Sequence, residues 1–393
     1  MKNILYGTTA LMAVGLIVGP ASAADKIKLS LGGYYTAQAQ FGSNENDVAG
    51  NNDGFRDHGF GSEGEIYFRG STTLDNGIRM GVAVDLEAET TGDQIDNNYI
   101  WASGNFGTIQ YGETWGPGLI MAKGSVGEHN RTGDFASHNP AQDLNGLGFN
   151  SFGGGAGVTN LPQQKLAYYT PRMSGFQVGI SYAPDSRVAN ANGARNSDQD
   201  GNVGSEMLDL GINYTGKVAG TALALHAGYF TSQSEGGAPV VAAAQTTSTT
   251  QTAGGDAIIT AAVVAAAAAA PAADVDGHSI GGQVSSSGIT VGGRYTKKHD
   301  QGGAGLDETQ WRVGADYKTG MWGVGVTYQV AEADVTATTE DTSTYLSIGS
   351  TYNLGPGITM YGGMVFVSYD DATGAAASEG DNSFAILGSR LAF

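Results

Sequence analysis

Asp96-Asn97-Asn98-Tyr99-Ile100-Trp101-Ala102-Ser103-Gly104-Asn105-Phe106-Gly107-Thr108-Ile109-Gln110-Tyr111-Gly112 is the stretch whose reading decides the fold. Polar and apolar side chains alternate on both sides of Gly104-Asn105, and two residues suffice to reverse the chain, so it reads as a β-hairpin with a minimal turn. About 50 residues rich in Gly, Asn and Asp follow before the next alternating segment at Leu166. Connections of roughly 2 to 6 residues are usual, and one this long is either functional or disordered. We expect it to fold back into the lumen of a membrane barrel over 114–162 and to set the size and charge of a pore.

The same unit recurs along the chain. From Lys26, Ile27, Leu29, Leu31, Gly33 and Tyr35 fall on one face and Lys28, Ser30, Gly32, Tyr34 and Thr36 on the other. Period two over this length is a strand with one apolar face. Glu65 to Leu74 and Ile78 to Glu89 flank Asp75-Asn76-Gly77, a turn whose Asn and Gly tolerate positive φ. On the second of these strands Ile78, Met80, Val82, Val84 and Leu86 oppose Arg79, Asp85, Glu87 and Glu89. Further hairpins turn at Ser174-Gly175, at 216–220, at Thr319-Gly320 and at 355–357. Between hairpins lie longer polar stretches at 42–61, 184–205, 300–307, 331–341 and 371–380. Short turns alternating with long loops mark an outer-membrane barrel. The expected fold is therefore all-β, a transmembrane antiparallel β-barrel of roughly sixteen strands.

The first 23 residues stand apart. Lys2, the apolar run Leu11 to Val18 and Ala21-Ser22-Ala23 have the layout of a cleaved secretory signal, and the run is too short to span a bilayer. The barrel is then 24–393. Taking away the single positive charge of Lys2 carries the formal net charge from −19 to −20. So acidic a chain repels nucleic acid, whose binding needs Lys and Arg against phosphate. The absence of cysteine removes both a disulfide framework and a thiol nucleophile. The 63 glycines carry no G-X-Y period and so do not signal collagen. A mean hydropathy of −0.16 looks soluble, but in a barrel the apolar half of each strand is averaged away by its polar half.

One segment fits less well. Residues 232–276 are rich in Ala and Thr, and we expect a low-complexity external loop, with a short helix near Ala261 to Ala270 as one option and an extra hairpin as another. Alanine is too weakly apolar, and Pro271 too close, for a spanning helix. At the other end Leu387, Leu391 and Phe393 share a face opposite Gly388 and Arg390, and this last strand is expected to pair with the first. Tyr35, Tyr99, Trp101, Tyr295, Trp311, Trp322 and Tyr352 sit where interfacial aromatic girdles belong.

With these residues in hand the chain resembles the Gram-negative general porins, trimeric sixteen-stranded outer-membrane channels. The resemblance is carried by the signal ending Ala21-Ser22-Ala23, the run Glu65 to Glu89, the run from Tyr99 to Pro117 that leads into a long third loop, and the ending Ile386 to Phe393. It implies passive diffusion of ions and small hydrophilic solutes, a homotrimer, and contact with membrane lipid and lipopolysaccharide. It also implies that the barrel-assembly machinery reads Phe393, and that the third loop carries constriction acids, for which Glu113, Glu128, Asp134 and Asp143 are candidates. Many relatives carry wall arginines where this chain has Glu65 and Asp96. Parity puts both in the lumen, with Ile66, Phe68, Tyr99 and Trp101 on the opposite face.

Acidic rings favour cations, because a narrow low-dielectric surround focuses their field on the permeating ion. A cation-preferring pore follows, lined by Glu65, Arg69, Arg79, Asp85, Glu87, Asp96, Glu113 and Arg390, with Arg294 and Arg312 also on lumen faces. No cofactor is expected, no EF-hand spacing marks a metal site, and no G-x-S-x-G, H-E-x-x-H or P-loop pattern marks an enzyme. A lipid hydrolase would need Ser and His together, and His226, inside a strand, is the histidine to test. The remaining alternatives are a substrate-specific channel and an adhesin using 232–276.

Overall fold

A sheet with one apolar and one polar face leaves unpaired backbone at both edges, which lipid does not satisfy; closure removes the edges. The computed structural model describes residues 26–44, 58–88, 95–127, 163–185, 204–234, 274–300, 305–370 and 380–393. Within them sixteen strands form one closed antiparallel barrel. They are β1 (Lys28–Asn44), β2 (His58–Thr73), β3 (Arg79–Glu87), β4 (Ile95–Gly104), β5 (Gly107–Thr114), β6 (Gln163–Tyr169), β7 (Phe176–Asp185) and β8 (Gly204–Val218). Then come β9 (Thr221–Ser234), β10 (Val275–Ser286), β11 (Ile289–His299), β12 (Glu308–Thr319), β13 (Trp322–Thr336), β14 (Thr339–Gly355), β15 (Ile358–Asp370) and β16 (Gly380–Ala392). One short helix, α1 (Pro117–Ile120), follows β5.

Each strand pairs with its sequence neighbour, and β16 closes on β1 from Tyr34↔Ala392 to Asn44↔Asn382. Phe393 finishes the seam: its amide donates to Gly33 O at 3.0 Å and its carbonyl accepts from Gly33 N at 3.1 Å. The expected pairing of last strand with first is what the fold shows.

Exposure separates the two faces. Leu29, Leu31, Ile212, Val313, Val326, Ile348, Met364 and Leu387 lie on the outside, 37% to 70% exposed, while Thr36, Gln38, Asp209, Asn213, Thr327, Gln329 and Ser347 are buried on the inside. Outward aromatics form two bands. Trp322 stacks with Tyr352 (4.5 Å) and Phe176 with Tyr214 (4.9 Å) near the short turns, and Trp311 meets Tyr328 (5.3 Å) toward the long loops. Trp322 and Tyr328 are six residues apart on β13, roughly 20 Å along the strand.

Four local expectations change. First, the Asp75-Asn76-Gly77 turn forms as read, with Gly77 at φ 81°, but the reversal at 104–105 sits one residue later. Gly104 pairs with Gly107, so Asn105-Phe106 makes the turn and Gly107, at φ 108°, supplies the conformation that L-residues avoid. Second, 331–341 is strand rather than loop. β13 and β14 run on to Thr336 and Thr339, because β-branched Val335, Thr336, Thr338 and Thr339 favour extended backbone despite their polarity. Third, the polar stretch 42–61 begins and ends in strand, at Asn44 and His58.

The fourth change is in β4. Its register against β3 slips between Asp85↔Asn97 and Leu86↔Ile95, a β-bulge that leaves Asp96 as the extra residue. Beyond the bulge Tyr99 and Trp101 pair with Ala83 and Gly81 and point inward, while Ile100 is 56% exposed outside. The two aromatics therefore belong to the lumen and not to the girdle. Most of 232–276 lies outside the described residues, which give 232–234 to β9 and 275–276 to β10.

Candidate functional site

The inner wall of β1, β2, β3 and β16 carries a compact charged cluster. Odd-numbered residues of β2 face inward, so Glu63, Glu65, Tyr67 and Arg69 form a row, and Glu65 stands directly opposite Glu87 on β3. Tyr34 of β1 organises it: its hydroxyl donates to Glu65 Oε1 at 3.0 Å and is hydrogen-bonded to Glu63. The Arg390 guanidinium sits 3.5 Å from the centre of the Tyr34 ring, which couples a cation to the aromatic face. Arg69 lies over Tyr67 at 5.0 Å, donates to Val84 O at 3.2 Å and forms an ion pair with Asp85. Nearer the turns Arg79 stacks over Trp101 at 5.5 Å.

Of the residues expected to line a pore, Glu65, Arg69, Arg79, Asp85, Glu87 and Arg390 are thus brought together on one sector. Glu113 is not among them. It accepts from Asn98 Nδ2 at 2.7 Å and alternates with inward-facing Gln110 and Gly112, on the parity of Tyr111, which is 55% exposed outside. Its neighbour Gly112 is at φ 142°. Glu113 is buried there. The side chain of Asp96 and all of Glu128, Asp134 and Asp143 lie outside the described residues.

A second set of inward residues holds the start of the long connection. Pro117 opens α1 at a position where its missing N–H costs nothing. The Gly118 amide donates to Asp209 Oδ1 of β8 at 2.6 Å, and Asn213 Nδ2 donates to Met121 O at 3.0 Å. Farther along, Gly124 N donates to Gln283 Oε1 (3.3 Å) on β10 and Gly127 N to Asp316 Oδ2 (2.9 Å) on β12. Val126 O accepts from Arg312 (3.2 Å) and from Thr327 Oγ1 of β13 (2.9 Å). Met121 packs on Ala167 and Tyr169. All these wall residues share the polar parity of their strands, opposite Ile212, Val313 and Val326. Sequence reading placed Arg312 on the lumen face but missed Asp209, Asn213, Gln283, Asp316 and Thr327. Each is a polar residue between outward apolar ones, a legible signal for direction but not for partner.

Arg294 and Arg312 are directly opposite each other across β11 and β12, and Arg294 is only 7% exposed. His226 faces inward and hydrogen-bonds Ser279 Oγ at 3.0 Å. Ser279 is completely buried, so the pair offers no open nucleophile. Also unanticipated is an inward apolar cluster of Tyr345, Tyr361, Val365, Val367, Phe384 and Ile386. Its signal is the run Met364-Val365-Phe366-Val367, apolar on both parities.

A closed barrel that is apolar outside and polar and charged inside is a hydrophilic conduit through lipid, which defines the class as an outer-membrane β-barrel channel. More particularly, the chain belongs to the Gram-negative porin family, whose model matches residues 7–372, and is therefore a non-enzymatic diffusion channel. Among solved structures it is similar to an anion-selective porin from Comamonas acidovorans, at 16% identity over 94% of this chain and 100% of that one, with a TM-score of 0.60. It is likewise similar to a trimer form of OmpT from Vibrio cholerae, at 14% identity over 94% and 100%, with a TM-score of 0.57. At such identities the likeness is one of fold. No curated protein matches the sequence.

Proposed function

We propose that this porin passes small hydrophilic solutes and ions with a preference for cations. The observation that carries the reading is the convergence of Glu63 and Glu65 on Tyr34, with Glu87 opposite Glu65. Asp85 is paired to Arg69, and Arg294 is buried, so the carboxylates of β2 and β3 hold more of the field that a permeating ion meets. The arm from Gly116 to Gly127 is taken as the beginning of the constriction, since its backbone is bonded to the inner wall of β8 to β13. Reversal potential across a KCl gradient in a planar bilayer tests the preference. A potential of the sign set by potassium supports it, and one set by chloride, as the name of the Comamonas relative would suggest, overturns it.

Assembly as a homotrimer is part of the proposal. A tilted strand needs about 9 to 11 residues to cross hydrocarbon, and β5 and β6 have 8 and 7. A neighbouring protomer supplies cover where that wall is low. The segment 1–23 is proposed as a cleaved signal, and Phe393 as the residue read during assembly; lipopolysaccharide and lipid surround the rest.

A further inference from the structure

The loop arm does more than hydrogen-bond to the wall; it lies in a trough from which side chains are missing. Gly179 of β7, Gly211 of β8 and Gly228 of β9 are consecutive register partners, so three inward positions side by side carry no Cβ. Farther round, Gly281 of β10 and Gly314 of β12 also face inward beneath the arm. A Cβ built on Gly211 would stand 2.6 Å from Pro117 O, one on Gly281 2.4 Å from Lys123 O, and one on Gly314 2.8 Å from Val126 O. On Gly228 it would meet Gly118 Cα at 3.2 Å, and on Gly179 the Pro117 ring at 2.8 Å. At Gly211, Gly281 and Gly314 the obstacle is a backbone carbonyl, which no rotamer change moves aside.

We infer that these wall glycines set how far the loop arm projects into the lumen, and are positioning residues for the pore's width. The hydrogen bonds pull the arm down, and the absent side chains let it come down. The acceptors Asp209 and Asp316 and the donors Asn213 and Thr327 reach the arm from strands on which Gly211, Gly314 or their register partners lie. A methyl at Gly211 falls about 0.8 Å short of ordinary contact with Pro117 O, so the arm must rise by roughly that amount toward the lumen axis.

The experiment replaces Gly211→Ala and Gly314→Ala separately, with Ile212→Ala on the outer face as control, and reads single-channel conductance in KCl. Barrel folding is followed by heat-dependent gel mobility. Each glycine variant is expected to lose at least about a tenth of the conductance, with the control unchanged. Gly211→Ala is then made in a chain lacking residues 117–126, since Pro117 O is the atom its methyl would strike. There the three atoms nearest the added methyl are gone, and the variant should match that parent; Gly314→Ala is left out of this background because Val326 O of the wall also stands 2.8 Å from its methyl. Wild-type conductance in folded Gly211→Ala and Gly314→Ala overturns the inference. So does an equal loss in Gly211→Ala with and without the arm, which would assign that glycine to the strand itself. If Gly211→Ala fails to fold, recovery of folding on removal of 117–126 supports the seat, and continued failure overturns it. The inference rests on the channel reading for its readout, and that reading fails separately, in the wild type, if no conductance appears.

Discussion

Replacing Glu63 and Glu65 together by glutamine tests the electrostatic reading most directly. Glutamine keeps an oxygen for the Tyr34 hydroxyl, which is 3.0 Å from Glu65 Oε1, so the local geometry survives the change. The charge does not. Two carboxylates and Arg390, stacked on the same Tyr34 ring at 3.5 Å, make a patch of net charge about −1, and the double variant leaves Arg390 alone at about +1. One unit charge about 5 Å from an ion in water is worth roughly 0.8 kcal/mol, or about fourfold in local occupancy. Screening in about 0.1 M salt lowers that to roughly 0.5 kcal/mol, or about 2.3-fold. A swing of two charges should then lower cation occupancy about fivefold and raise anion occupancy about fivefold, moving the cation-to-anion permeability ratio by roughly 25-fold toward anions. The assay is reversal potential across a tenfold KCl gradient, wild type against variant, with both folded. A ratio that moves by less than about twofold would refute the assignment of selectivity to this sector.

Three further outcomes are expected. Asp316→Ala removes the carboxylate that accepts from the buried Gly127 amide at 2.9 Å, weakening the arm's far anchor by about 1.5–3 kcal/mol; open-channel current noise and protease cleavage within 114–162 should rise while barrel melting stays unchanged. Val326→Arg places a charge on the outer face of β13, where Val326 is 37% exposed, and should cost roughly 2–4 kcal/mol of folding stability in lipid if the site is near the midplane, measured by urea titration in liposomes. At the long-loop end, burial opposes ionisation of Asp307, yet bonds from Lys297 (2.9 Å), the Asp300 amide and His299 (3.1 Å) outweigh it and hold its carboxyl below the ordinary range. That stabilisation is complete above the unfolded value of about 3.9 and fades as pH falls through the lower folded value. Proteolysis at the β11 to β12 connection should therefore rise below about pH 4, and Asp307→Asn should remove the dependence.

Legibility divided along physical lines. The direction of Glu65, Arg69, Asp85, Glu87 and Arg390 was readable because a strand alternates strictly, and each residue's face follows from its immediate neighbours. Tyr99 and Trp101 were assigned to the wrong face because one extra residue at Asp96 resets that alternation, and nothing local announces it. Glu113 misled for a related reason: it stands at a strand exit beside Gly112, which is at φ 142°, where parity carries little. The inward cluster around Val365 and Phe384 was visible only as a run without alternation.

Sequence by itself determined that the chain is a closed antiparallel barrel of roughly sixteen strands, because period two, turn chemistry and the demand that no edge meet lipid are properties of contiguous residues and of the solvent. The tertiary structure alone decided where the loop arm lies and which side chains hold it. Gly118 meets Asp209 across 91 residues and Val126 meets Thr327 across 201. Contacts of that separation are fixed by how far each strand is sheared around the barrel, a sum over every register in the wall that no single stretch of sequence contains.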